Sequence, residues 1–175
     1  MFSPCTEGEG ATLQIAIPEV QVTADILPGT VFYLHRSDSL RGLICVMGST
    51  DAGTERRIVP LLMPQHVDHE RVPMHETAFS GVGLIVQDAR LVVDPSSAPQ
   101  RAGPFRGVIV SSEGVFLPMQ SSFQHHGNLN LSTGAITRGP IPSPWVKLSR
   151  WRIEREGSPP EVIYDSVTSH EEEQQ

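Results

Sequence analysis

The sequence predicts an all-β fold with little helix: a single antiparallel β-sandwich or β-barrel of about ten short strands. Three observations predict it. Apolar residues recur with period two far more than with period 3.6, in short runs. Fifteen glycines and fifteen prolines interrupt the runs roughly every eight to fifteen residues, the spacing of sandwiches and barrels. Short glycine-containing connections join neighbouring runs, and such turns cannot make the crossover that parallel strands need.

The predicted strands run in order from Leu13, Ile15 and Ile17 through Val20 and Val22 to runs at 31–34, 43–47, 58–63, 84–86, 91–93, 108–110 and 115–117. A continuous run from Trp145 to Ile153 and a last one at 162–164 follow. Three hairpins carry their own turn chemistry. "VIVSSEGVFL" turns at Gly114 and "NLNLSTGAIT" at Gly134, and glycine accepts the positive φ that such turns use. "ICVMGSTDAGTERRIVPLL" is a longer hairpin with its polar tip at 48–54. In "WVKLSRWRIE", Trp145, Lys147, Ser149, Trp151 and Ile153 alternate with Val146, Leu148, Arg150, Arg152 and Glu154. Neither set is cleanly apolar, which predicts a strand near an edge with Trp151 and Ile153 turned inward. Segments 94–105 and 137–145 read as long loops. The organisation expected is a flexible N-terminus over 1–12, one β domain over 13–167 and a disordered acidic tail over 168–175.

At 175 residues the chain is long enough to bury a core without disulfides or metal. Its net charge is −7, and thirds of the chain hold 4 bases against 7 acids, 4 against 6 and 5 against 7. No third supplies the concentrated basic face that phosphate binding needs, so nucleic acid is not the expected partner. Of the two cysteines, Cys45 sits in "LICVM" and reads as a small buried hydrophobe. No apolar run approaches the ~18 residues of a membrane span, and the N-terminus lacks a signal-peptide pattern. The expectation is a cytoplasmic protein.

Chemistry concentrates in "MPQHVDHERVPMHETAF", residues 63–79. His66, His69 and His75 fall there with Glu70 and Glu76, and His125 and His126 form a second cluster. Neutral imidazole and carboxylate are the ligand set for one divalent transition metal: zinc, iron, manganese or nickel. The spacing works against it. On a strand, residues three apart point to opposite faces, and Pro64 with Pro73 limits any helix between them to about two turns. The pattern departs from H-E-x-x-H and from the H-x-H pair of the cupins, the nearest pair being His66-Val-Asp-His69. A polar loop connecting two strands explains the same residues.

"NLSTGAI", residues 130–136, resembles the D/N-x-S-x-x-G signature of PilZ barrels, with Asn130 and Ser132 in the first two places and Ala135 where the glycine falls. That resemblance implies cyclic di-GMP binding, with Arg101 and Arg106 standing one residue too far apart for the family's arginine arm. An ordinary Ser-Thr-Gly hairpin turn accounts for the same residues. There is no G-x-S-x-G elbow and no complete catalytic constellation.

Two functions follow as expectations. The first is a non-catalytic binding or assembly domain, contacting another protein or a second copy of itself through Trp145, Arg150, Trp151 and Arg152. The second is a cupin-like metal-dependent enzyme or metal-binding barrel that draws on the two histidine clusters.

Overall fold

A computed structural model describes residues 18–35, 43–50, 55–61, 72–76, 81–98, 107–121 and 126–166, with the backbone alone at 72–76, 120 and 121. Among them there is no helix, and none therefore that is long and apolar enough to cross a membrane. The strands are β1 (Val20–Val22), β2 (Val31–His35), β3 (Leu43–Thr50), β4 (Arg56–Pro60), β5 (Val72–Glu76), β6 (Val82–Ile85) and β7 (Ala89–Val93). Then come β8 (Val108–Ser111), β9 (Gly114–Ser121), β10 (His126–Asn130), β11 (Ala135–Thr137), β12 (Trp145–Leu148), β13 (Trp151–Arg155) and β14 (Glu161–Asp165). The all-β expectation holds, with more strands than the ten anticipated.

The strands form two sheets rather than one continuous set. The larger has eleven strands in the order β1-β6-β2-β3-β11-β10-β9-β5-β4, with β8 joined to β9 and β12 to β8; the smaller is β14-β13-β7. Two long strands organise the larger sheet. Along β3, residues 43–46 pair with β2 and residues 49 and 50 with β11, while residues 45–49 pair with β4. A strand has two edges, so β2 and β11 share one flank at different heights and β4 takes the other. β9 repeats the arrangement: β8 and β5 share one flank and β10 holds the other. The sheet as a whole is not closed, because β1 and β12 each have one strand neighbour among the described residues. The antiparallel expectation needs one correction: β11 with β3 and β5 with β9 are parallel pairs. In both cases the paired strands are distant in sequence, so turn length does not constrain their direction.

Burial explains the patterning. On β3, Ile44 and Val46 enter a core cluster with Val59, Val108, Leu117, Met119 and Leu129, and Cys45 and Met47 enter a second with Ile26, Phe32, Leu34 and Ile58. Because both faces of β3 are covered, its sequence is an unbroken apolar run rather than an alternation. The smaller sheet adds Trp151, Ile153 and Ile163 to the first cluster, which places it over one face of the larger. Gly134, at φ +74°, lets the β10–β11 turn lie against the backbone before β2, where a Cβ would stand 2.1 Å from the Gly29 nitrogen.

The expected single strand from Trp145 to Ile153 is two strands in different sheets. The break at Ser149-Arg150 is bridged by two buried serines. Ser97 Oγ accepts from the Arg150 N–H at 3.0 Å and donates to Asp94 O at 2.6 Å. Ser166 Oγ accepts from the Trp151 N–H at 3.0 Å and donates to Ser149 O at 3.2 Å. Ser149 itself bonds Ser97 O through both its N–H and its hydroxyl. Each hydroxyl thus serves as donor and acceptor at once, and the backbone groups freed by the break stay satisfied.

Candidate functional site

The chain reaches β12 through Arg138–Pro144, a stretch with prolines at 140, 142 and 144. Proline cannot donate to a ladder, and this stretch pairs with no strand among the described residues. Among the described residues β12 then pairs with β8 alone, in the register Trp145↔Ser111, Val146↔Val110, Lys147↔Ile109 and Leu148↔Val108. In an antiparallel pair only alternate residues turn their N–H and C=O toward the neighbour. The other residues of β12 turn theirs to the outer edge.

The side chains divide by face. Leu148 is in the core and holds the end of the strand. Val146 lies on the same face but beyond the covered area, 45% exposed. Trp145 and Lys147 lie on the opposite face. Trp145 faces Ser111, and Ser111 in turn faces Gly114 on β9. Neither offers bulk to cover an indole, so Trp145 is 49% exposed. A strand edge with an exposed aromatic on one face and an exposed branched residue on the other is an unfinished surface.

The four residues expected to make a partner surface are separated by this geometry. Trp145, Arg150 and Arg152 are exposed, but Trp151 is 3% exposed and its ring lies 4.7 Å from that of Tyr164, tilted by 40°. Trp151 belongs to the core. Its cross-strand neighbour Val93 and the smaller sheet's packing against the larger place it there.

Charge near β12 follows a pattern that counting by thirds hides. The forty residues from Gly114 to Ile153 contain no aspartate or glutamate, although the chain has 20 acids in 175 residues. An even spread would put four or five there. The stretch carries Arg138, Lys147, Arg150 and Arg152 and supplies β9 through β12. It straddles the boundary between the second and third thirds, and the last third's seven acids begin only at Glu154. Arg150 and Arg152 lie near acids. Arg150 acts on Asp94, whose carboxyl is held below its usual range first by the Ser96 hydroxyl and N–H and then by that charge. Arg152 Nε donates to Glu154 Oε1 at 2.6 Å, and Arg90 Nη2 to Glu154 Oε2 at 2.7 Å. Arg90's hydrogen bond first, and then Arg152's, holds the Glu154 carboxyl below the usual range against the opposing effect of burial. Lys147 is the cation on β12 itself.

The metal candidates divide between described and undescribed residues. His66, His69, Glu70 and His125 lie outside the described residues, as do Arg101 and Arg106. His75 and Glu76 are on β5, level with Ile58 and Arg57 of β4. The expected polar loop over 63–79 thus includes a strand. His126 is exposed at the start of β10. Pro73 is level with Gln120, and Gln120 with His126, so β5 and β10 flank β9. At ~4.8 Å between strands and ~3.3 Å per residue, the Cα atoms of His75 and His126 are roughly 12 Å apart. Among the described residues no group of three or more His, Cys, Asp or Glu could hold a metal ion.

Asn130, the first residue of the PilZ-like stretch, has a structural use. Its Oδ1 accepts from the Ser132 and Thr133 N–H groups at 2.9 and 3.2 Å, and its Nδ2 donates to Glu113 O at 3.3 Å. The amide ties its own turn to the β8–β9 turn. Cys45 is buried and free, and burial pushes its thiol up to about 12, which is the opposite of nucleophile activation. Comparison with protein-family models, with curated proteins and with solved structures finds no match for this chain.

Proposed function

We propose that the chain is a non-catalytic binding or assembly domain that contacts another protein through the outer edge of β12. The observation that carries this reading is a strand edge that no strand pairs among the described residues, with Trp145 and Val146 exposed on its two faces. Aromatic residues at the centre of a patch supply most of the energy of protein contacts, and an open edge supplies the backbone hydrogen bonds. Arg150 and Arg152, exposed beside the end of β12, suit the rim of such a patch.

A photo-crosslinking phenylalanine analogue at position 145 tests the reading, with position 132 in the exposed β10–β11 turn as the control. In extract of the native cells, position 145 should give a discrete adduct. Unlabelled protein should compete it away, and its Val146→Ser variant should compete poorly. Equal labelling from both positions, or none from position 145, would contradict the proposal.

A further inference from the structure

We infer that residues 24–28 form a strap that swings open about fixed ends and uncovers the second apolar cluster, with Arg56 as the latch that holds it shut. The inference stands apart from the use of the β12 edge. The strap joins β1 to β2, and both of its ends are anchored. Thr23 N–H donates to Gly81 O at 3.0 Å, and the Gly81 N–H reaches Thr23 Oγ1 at 3.4 Å. Gly29 N–H donates to Met47 O at 2.8 Å, and Met47 N–H to Thr30 O at 3.0 Å. Between these anchors the backbone turns on itself: Asp25 N–H returns to Val22 O and Thr30 N–H to Leu27 O.

Among the described residues, two contacts hold the middle of the strap. Arg56, at the start of β4, donates through Nη1 to Ala24 O and, at 2.8 Å, to Ile26 O. Ile26 is fully buried, while Ala24, Asp25 and Leu27 around it are exposed. Ile26 is also the one buried member of the second cluster that comes from outside the strands: Phe32 and Leu34 belong to β2, Cys45 and Met47 to β3, and Ile58 to β4. Gly83 on β6 makes its seat, since a Cβ there would stand 2.5 Å from Ile26 Cδ1. A segment with one buried side chain opens at far lower cost than a strand bonded on both edges, such as β2 between β3 and β6. Opening uncovers Phe32, Cys45 and Met47 and leaves the first cluster, on the other face of β3, in place. Hydrogen bonds from a guanidinium are of the stronger, charge-assisted kind. Arg56, rather than the local turns, therefore sets how often the strap opens.

Thiol labelling of Cys45 in a Cys5→Ser background tests the strap, with urea melts of the same proteins alongside. In Arg56→Gln, Cys45 should react in buffer about 10- to 100-fold faster than the parent's rate extrapolated to zero urea, the factor expected from losing bonds to a charged donor. Low urea should barely change that rate, because a strap exposes little surface on opening. Leu27→Ala, at an exposed position of the same strap, should label at the parent's rate. A parental rate in Arg56→Gln, or labelling that follows its global unfolding at every urea concentration, would overturn the inference. Native-state hydrogen exchange on the unsubstituted chain gives a second reading that does not require the variant to fold. The Asp25 and Thr30 amides should exchange through an opening with little urea dependence, and those of Gly29 and Met47 only as the sheet unfolds. One common exchange behaviour for all four amides would overturn the inference as well.

Discussion

The two tryptophans lie six residues apart in one stretch of sequence, yet the structure assigns them opposite consequences. Trp151 is 3% exposed, in the cluster that joins the two sheets, with its ring against Tyr164. Truncating a buried Trp to Ala costs about 3–5 kcal/mol through lost transfer energy and the cavity left behind. Native domains hold only about 5–15 kcal/mol in all, so Trp151→Ala removes a large share of the stability. With a urea slope of about 2 kcal/mol/M, the unfolding midpoint should fall by about 1.5–2.5 M. Trp145 is half exposed and opposite Ser111, so Trp145→Ala should move stability by no more than about 0.5 kcal/mol. Trp151→Phe adds a control. The indole Nε1 is buried with no hydrogen-bond partner among the described residues, so removing it forfeits no bond, and the variant should lie well above Trp151→Ala. Urea melts followed by far-ultraviolet circular dichroism give the ranking. Equal losses from Trp145→Ala and Trp151→Ala would refute the assignment of one tryptophan to the surface and the other to the core.

Three further outcomes follow from named contacts. The Glu154 carboxyl is held below its ordinary 4.5 by Arg90 and Arg152, so its contribution to stability is present above that value and is lost as pH falls through the lowered one. The melting temperature of Glu154→Gln should therefore fall less steeply than that of the parent protein as pH drops below about 4.5, and parallel acid profiles would remove Glu154 from the account. Gly134→Ala places a methyl at φ +74° and 2.1 Å from the Gly29 nitrogen. This variant should fail to give the cooperative melt of the parent, and an unchanged melt would mean that the β10–β11 turn does not lie against residues 28 and 29. In a Cys5→Ser background, Cys45 should react with a thiol reagent at pH 8 only in denaturant, its thiol being buried and pushed up to about 12. Rapid labelling of the native protein would show that β3 is not covered on both faces.

Much of the architecture is legible in the residues because strands and tight turns are local. Val20 with Val22, the runs at 31–34 and 43–47 and the hairpins at Gly114 and Gly134 all lie where periodicity and turn chemistry put them. What the sequence hides is non-local. The parallel pairing of β5 with β9 joins segments more than forty residues apart, and the split of 145–153 into two strands depends on hydroxyls from Ser97 and Ser166. Period-two alternation runs through Ser149 without a mark, since the serines that break the strand are elsewhere in the chain. Of the proposed contact surface, the mixed patterning of the strand that carries Trp145 was legible as that of a strand near an edge. The acid-free stretch from Gly114 to Ile153 was equally present in the sequence, and only a count without fixed boundaries shows it.

Amide hydrogen exchange tests the central claim most directly, because among the described residues the larger sheet leaves two edges to compare, β1 and β12. With an alternating Ser-Val decapeptide near saturation, amides of Trp145–Leu148 should gain protection while those of Val20–Val22 exchange as before. Protection confined to β1, or to neither edge, would contradict the assignment of β12 as the contact surface.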